Sequence, residues 1–207
     1  MIGVEGTAAL TPEPADSEAA RKAEAARLKA EHDQEFADFV EDSYHTVERI
    51  LRAGCWDREV VQDALNEAYL LGRVQWPKIR TYTKRAGWVI TTARNKIRKD
   101  GERRQREAPV APEDLPPEPH PDIADVWAAQ EALRAWLHQL PSRHAEVFQM
   151  SREGFSNQEI ARVLGLTENS VRSYKVAARK RLRELAEAAG YTESKDRSRQ
   201  GGSRGSR

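Results

Sequence analysis

The stretch from Phe155 to Leu182, FSNQEIARVLGLTENSVRSYKVAARKRL, leaves little freedom in what it can fold into, because it carries start and stop signals for two successive helices. Ser156 followed by Glu159 forms a capping box, which starts a helix there. Ile160, Ala161, Val163 and Leu164 supply one apolar face, and Gly165 sits where a left-handed residue is needed to end it. Thr167 caps a second helix, in which Val171, Tyr174, Ala178 and Leu182 recur at helical spacing. Ala161 is small where the two helices must cross closely. The pattern predicts a helix-turn-helix. Its outward face carries Asn169, Arg172, Ser173, Lys175, Val176 and Arg179, a set suited to base edges and phosphates. A plain helical hairpin with a solvated basic face shows the same periodicity.

A net charge of +1 over 207 residues argues against nucleic-acid binding until it is mapped along the chain. Residues 35–72 hold three Arg against nine acids, whereas residues 73–106 hold twelve Lys or Arg against two. Residues 107–131 carry seven acids and no Lys or Arg, and residues 142–207 carry fourteen basic residues against eight acids. Two basic blocks separated by an acidic one describe the molecule better than the total does. Cys55 is the single cysteine, so no internal disulfide forms, and its place among apolar residues beside Trp56 reads as a packed thiol. The five His are scattered without metal-ligand spacing, and neither a nucleophile–base motif nor a phosphate-cradling glycine loop is present. No enzyme activity, metal or cofactor is expected. No apolar run approaches a membrane span and the Ala- and Glu-rich start does not read as a signal peptide, so a soluble, cytoplasmic protein is expected.

The fold class expected is all-α. Residues 1–34 read as a disordered or helical extension; within them SEAARKAEAARLKAEHD has helix formers but little to bury. Phe36, Phe39, Val40, Tyr44, Val47, Ile50 and Leu51 mark a first firm helix. Asp57 caps a second, with Val60, Val61, Ala64, Leu65, Ala68, Tyr69 and Leu71. Pro77 interrupts the pattern, and residues 73–86 read as a basic, aromatic loop or short helix. A third helix runs from about Gly87 through Arg98 into a charged run. Residues 107–124 contain six Pro and five acids, which excludes a helix interior or a sheet and predicts an extended, semi-stiff linker. Two small helical domains result, 35–106 and 125–189, the second starting with an amphipathic helix over Val126 to Leu140. The Ser-, Arg- and Gly-rich tail at 190–207 is expected to be disordered.

This arrangement resembles a bacterial sigma factor of the extracytoplasmic-function group, the minimal members of the sigma-70 family, which join a region 2 and a region 4 by a linker. QDALNEAYLLGR at 62–73 resembles the family's EDLVQEVFLRLWR, with Asp63, Glu67 and Tyr69 matching. WVITTARNKIRKDGERR at 88–104 resembles WLYRIARNLALDHLRRR, with Trp88, Ala93, Arg94, Asn95, Arg103 and Arg104 matching. Region 4 is resembled by ALRAWLHQLPSRHAEVFQMSREGFSNQEIARVLGLTENSVRSYKVAARKRL, including Leu140-Pro141, Glu159-Ile160-Ala161 and Ser170 to Ser173. The chain departs from the family at Lys99, where an Asp is usual and Asp100 follows one position late. It departs also at Tyr174 and Ala177, where Arg is common, and at Gly72, where a larger residue is common.

The resemblance implies a factor that binds core RNA polymerase and directs it to promoters. Asp63, Glu67, Leu65 and Tyr69 would bind the β′ clamp helices, with the β flap as a further polymerase contact. Lys78, Arg80, Tyr82, Lys84, Arg85, Trp88, Arg94, Asn95 and Arg98 would read and melt the −10 element, which needs phosphate-neutralising charge interleaved with stacking groups. Arg172, Ser173, Lys175, Val176, Arg179 and Asn169 would read the −35 element, with Arg162 and Arg143 on phosphates. Glu113, Asp114, Glu118 and Asp122 in the linker would mimic RNA in the exit path, and an anti-sigma protein is a further partner. The helix-turn-helix also resembles response-regulator output domains, which leaves open a DNA-binding regulator acting without polymerase.

Overall fold

A computed structural model of the chain describes residues 14–107 and 125–191, with side chains over 18–104 and 130–191. The expectations for the first residues, for the acidic proline-rich segment and the RNA-mimicking role of Glu113, Asp114, Glu118 and Asp122, and for the tail beyond Tyr191 lie outside the described residues. Every regular element among those described is a helix: α1 (Pro14–Gly54), α2 (Arg58–Val74), α3 (Trp76–Ile79), α4 (Arg85–Glu107), α5 (Asp125–Leu137), α6 (Ser142–Arg152), α7 (Asn157–Leu164) and α8 (Glu168–Ala188).

The N-terminal extension and the first firm helix are one continuous helix. Residues 18–31 of α1 are exposed throughout, and burial begins only where the aromatic pattern begins. Phe36 and Phe39 each lie 5.2 Å from the Trp76 ring, and Tyr44 stacks on Tyr69 at 5.8 Å. Asp57 caps α2 by accepting a hydrogen bond from the Val60 amide, and Arg104 reaches back to the same carboxylate at 3.0 Å. Both bonds hold the Asp57 carboxyl below the usual range, the amide bond being the larger cause. Residues 73–86 fold as the end of α2, the single turn α3, a short connection and the first two residues of α4. Pro77 occupies the first turn of α3, where its missing N–H costs nothing. Trp76 and Ile79 are buried, so this basic stretch also plugs the bundle.

The C-terminal helices pack directly on the N-terminal ones. One hydrophobic cluster joins Val47, Ile50 and Leu51 of α1 and Val89, Ile90 and Ala93 of α4 to Val147 and Met150 of α6 and Ile160, Ala161 and Leu164 of α7. A second cluster places Ala53 against Leu137, Leu140, Ala145, Ala178 and Leu182. Close approach depends on two glycines. A Cβ on Gly54 would stand 2.7 Å from Cγ of Glu146, and one on Gly87 would stand 3.1 Å from a methyl of Val163.

At the edge of this seam, Nε2–H of His138 donates to the Arg52 carbonyl at 2.8 Å, and the ring lies against Trp56 at 3.4 Å. Burial pushes the imidazole below its ordinary value of 6.5, and Arg52 and Arg134 push the same way, opposed by the hydrogen bond and by Glu131. A histidine that folds neutral contributes stability in full above pH 6.5 and loses it as pH falls toward the depressed value. Glu153 and Glu159, whose carboxyls are also depressed from 4.5, lose their contribution only in more acid solution. Denaturation midpoints should therefore fall as pH drops below 6.5, and His138→Gln, which keeps an N–H donor, should flatten that limb while leaving the more acid limb intact.

Candidate nucleic-acid interface

The helix-turn-helix is built by the local signals in its sequence. The Ser156 hydroxyl accepts from the Glu159 amide at 3.2 Å, and the Glu159 carboxylate accepts from the Ser156 amide at 2.8 Å. These bonds hold the Glu159 carboxyl below its usual range, with Lys84 adding to the effect. Gly165 ends α7 at φ 65°, in the left-handed region, and the Leu166 amide bonds the Ala161 carbonyl at 2.9 Å. Thr167 caps α8 by accepting from the Ser170 amide at 3.1 Å. Val171, Ala178 and Leu182 are buried, so rotation about the α8 axis is fixed.

That rotation turns Asn169, Arg172, Ser173, Val176 and Arg179 outward. Val176 is 67% exposed, an apolar group with nothing of its own chain to cover it. Arg172 is pre-positioned by the Asn169 amide oxygen at 2.7 Å and by Glu168 at 3.4 Å. Lys175 is half-buried and donates to Asn157 at 3.1 Å, which fixes its head near the α7 N-terminus. Lys175 and Arg179 share a shallow hollow with Phe148, Ser151 and Arg152. Arg152, absent from the residues singled out by sequence, thus adds a third cation. Its signal is weak, because a lone Arg at a helix end is also what the helix dipole favours. Arg162 is exposed, while Arg143 is partly committed to the Leu164 carbonyl at 3.4 Å and to Glu146 at 3.6 Å. Tyr174 packs on the His144 ring at 4.6 Å.

The basic stretch of α3 and α4 is less uniform. Lys78, Asn95 and Arg98 are exposed. Arg80 forms a two-toothed pair with Glu35, which lowers the Glu35 carboxyl. Arg85 lies over the Trp76 ring at 5.7 Å. Tyr82 and Trp88 are half-buried, Trp88 against the core cluster. Lys84 faces Glu159 at 3.7 Å and sits over Phe155. Arg94 donates to both oxygens of Glu146, at 2.8 and 3.2 Å, with the two side chains only 18% and 10% exposed. Arg94 is therefore turned into the seam rather than toward solvent, while Lys84 stays exposed at its edge.

On α2 the four residues assigned to polymerase divide. Leu65 and Tyr69 are buried, and Tyr69 bonds Ser43 at 2.8 Å with its hydroxyl pushed up to about 12 by burial. Neither can offer a docking surface, because helix period places both on the face toward α1 and α4. Asp63 and Glu67 are exposed, and Glu67 accepts from Lys96 at 2.7 Å. Sequence reasoning missed Leu70 and Val74, 68% and 79% exposed, which continue the same stripe at helical spacing.

Residues 130–182, most of α5 with all of α6 and α7 and much of α8, match the family model for Sigma-70, region 4. A Sigma-70 region 4 domain is present, a non-enzymatic module, in a chain whose described structure is otherwise a helical bundle. The match does not extend over α1–α4. No curated protein matches the chain. Among the described residues, no helix is long and apolar enough to cross a membrane, and no group of three or more His, Cys, Asp and Glu is placed to hold a metal ion.

Gly165 tests how far the interface depends on its turn. A side chain there meets no neighbour but must adopt a positive φ. Gly165→Ala should cost about 1 kcal/mol in urea denaturation, from backbone strain alone. The far-UV helix signal in native buffer should stay unchanged.

Proposed function

We propose that the chain is a transcription initiation factor of the extracytoplasmic-function type, acting in the cytoplasm with bacterial core RNA polymerase. In this reading residues 35–106 serve as region 2, residues 107–124 as the linker and residues 125–189 as region 4. The observation that carries it is the outward face of α8, with Arg172, Ser173, Val176 and Arg179 exposed on the recognition helix of a region 4 domain. Such a helix enters the major groove, here of the −35 element, with Arg172 and Ser173 at base edges and Lys175, Arg179, Arg162 and Arg152 near phosphates. Lys78, Asn95 and Arg98, joined by Arg85 from over the Trp76 ring and by Arg80, Lys84 and Arg94 once released from their carboxylates, serve the opened −10 strand. The stripe of Asp63, Glu67, Leu70 and Val74 docks on the polymerase clamp helices, pairing an acidic half with an apolar half. An anti-sigma protein, where one acts, would compete for these same surfaces.

Purified chain added to core polymerase should direct specific transcript starts from promoters recovered by transcript mapping after overexpression. Sequence-specific footprints on duplex DNA by the chain alone, with no polymerase-dependent starts, would instead assign it to regulators that act without polymerase. Val74→Asp should weaken core polymerase binding by about tenfold or more, as for a central apolar contact. Its denaturation midpoint should match that of the parent, because Val74 lies on the surface.

A further inference from the structure

The residues toward the N-terminus of α8 are not equally available to DNA. Ser170 is tied to the Thr167 hydroxyl at 2.9 Å, Tyr174 lies on the His144 ring and Lys175 is held by Asn157. Asn169, Arg172, Ser173 and Val176 stay exposed, and spacings of three and four residues set them along one side of the helix. Val176 fixes what that side faces. An exposed valine gains nothing from phosphates, so the side that carries it is the side turned to base edges. Arg172 stands on the same side, one turn earlier.

Arg172 is held before any ligand arrives. Its Nη1 donates to the Asn169 amide oxygen at 2.7 Å, and its Nη2 to the Glu168 carboxylate at 3.4 Å. Bonds between exposed groups such as these add little to folding stability. They do restrict a long side chain in advance, which lowers the cost of ordering it on binding.

We propose that Asn169 and Glu168 are positioning residues that hold Arg172 for a guanine, so that the first turn of α8 selects a G·C pair. The inference rests on the reading of α8 as a recognition helix and names what that helix reads. Asparagine by itself favours adenine, because its oxygen accepts from N6 while its NH2 donates to N7. Here the oxygen is engaged by Arg172, and what the turn offers a base is N–H. In the major groove guanine presents acceptors at both O6 and N7, whereas adenine sets a donor beside its acceptor. A guanidinium fork matches the first edge and is opposed by the second.

The full chain, mixed with duplexes carrying a randomised segment, supplies a bound fraction for sequencing. The parent should enrich a guanine that Arg172→Ala and Asn169→Ala both lose at the same base pair, with no further loss in the double variant. In the selected duplex, 7-deazaguanine at that position lacks the N7 acceptor and should weaken the parent about tenfold, but not Arg172→Ala. Inosine keeps N7 and O6 and should bind as guanine does. Asn169→Asp keeps an acceptor for Arg172, so it should retain the guanine preference while its charge weakens every duplex alike. These positions are exposed and Thr167 still caps α8, so the variants should fold as the parent does. Adenine enriched by the parent and lost only in Asn169→Ala overturns the proposal. So does an even loss across all sequences in Asn169→Ala, or a parent that enriches no base pair. Guanine selection of this kind without polymerase-dependent starts would sink the initiation-factor reading and leave the Arg172 assignment standing. Starts from promoters indifferent to Arg172→Ala would do the reverse.

Discussion

Glu146 and Arg94 face each other across the seam between the two basic blocks of the chain, and most of the C-terminal packing is arranged around that contact. Both groups are largely withdrawn from water. Such a pair gains little over an apolar contact of equal size, because the cost of stripping water from both charges offsets their attraction. Losing one partner is a different matter, since the remaining charge would be left in a poorly hydrated place, at a cost of about 3–5 kcal/mol. The pair therefore favours one mutual placement of α6 and α4 over all sliding alternatives. Gly54 makes that placement sterically possible, and Val147 and Met150, fully buried on the helix that carries Glu146, make it apolar enough to persist.

The overall charge of +1 takes on a meaning at this level. Much of the basic block at 73–106 is answered from within the molecule: Arg80 by Glu35, Lys96 by Glu67, Arg104 by Asp57 and Arg94 by Glu146. The exposed members contribute little to stability individually, and salt screens them. Their effect is on what an incoming polyanion meets. A strand approaching α4 has to displace carboxylates as well as water, while one approaching α8 meets Arg179 directly and Arg172 held only by neighbours on its own helix.

Local structure was legible in the sequence wherever the signal was itself local. Ser156, Thr167 and Asp57 perform as caps because capping involves a side chain and a backbone group three residues apart, and Gly165 does so because it alone accepts the left-handed backbone that ends α7. The face of α8 follows from period alone, which also placed its outward set except for Lys175, which is half-buried on Asn157. What could not be read was anything decided by a second element. Glu146 looks like any surface carboxylate until α4 is laid against it. Gly54 and Gly87 look like incidental helix glycines. Leu65 and Tyr69 were given a surface role that their helix face denies them, while Leu70 and Val74, one step around the same helix, were passed over. Trp76, in a stretch read as basic loop or short helix, proved to be a centre of the aromatic packing, because composition there spoke for charge and hid the anchor.

The continuity of α1 has its own consequence. At about 1.5 Å per residue its 41 residues make a rod of about 60 Å, only the C-terminal part of which is clasped by other helices. Residues 18–31 bury nothing, and Arg27–Glu31 is a side-chain pair internal to the exposed part. An isolated helix of that composition would have to pay for its own nucleus. Here the nucleus is supplied by the bundle, and each further turn is added to a template already in place. The free energy of opening should then fall steadily toward the N-terminus along a single hydrogen-bonded ladder. The free end can wind and unwind by turns while Phe36 and everything after it stays fixed, so the rod's reach is set by conditions in solution and not by the core.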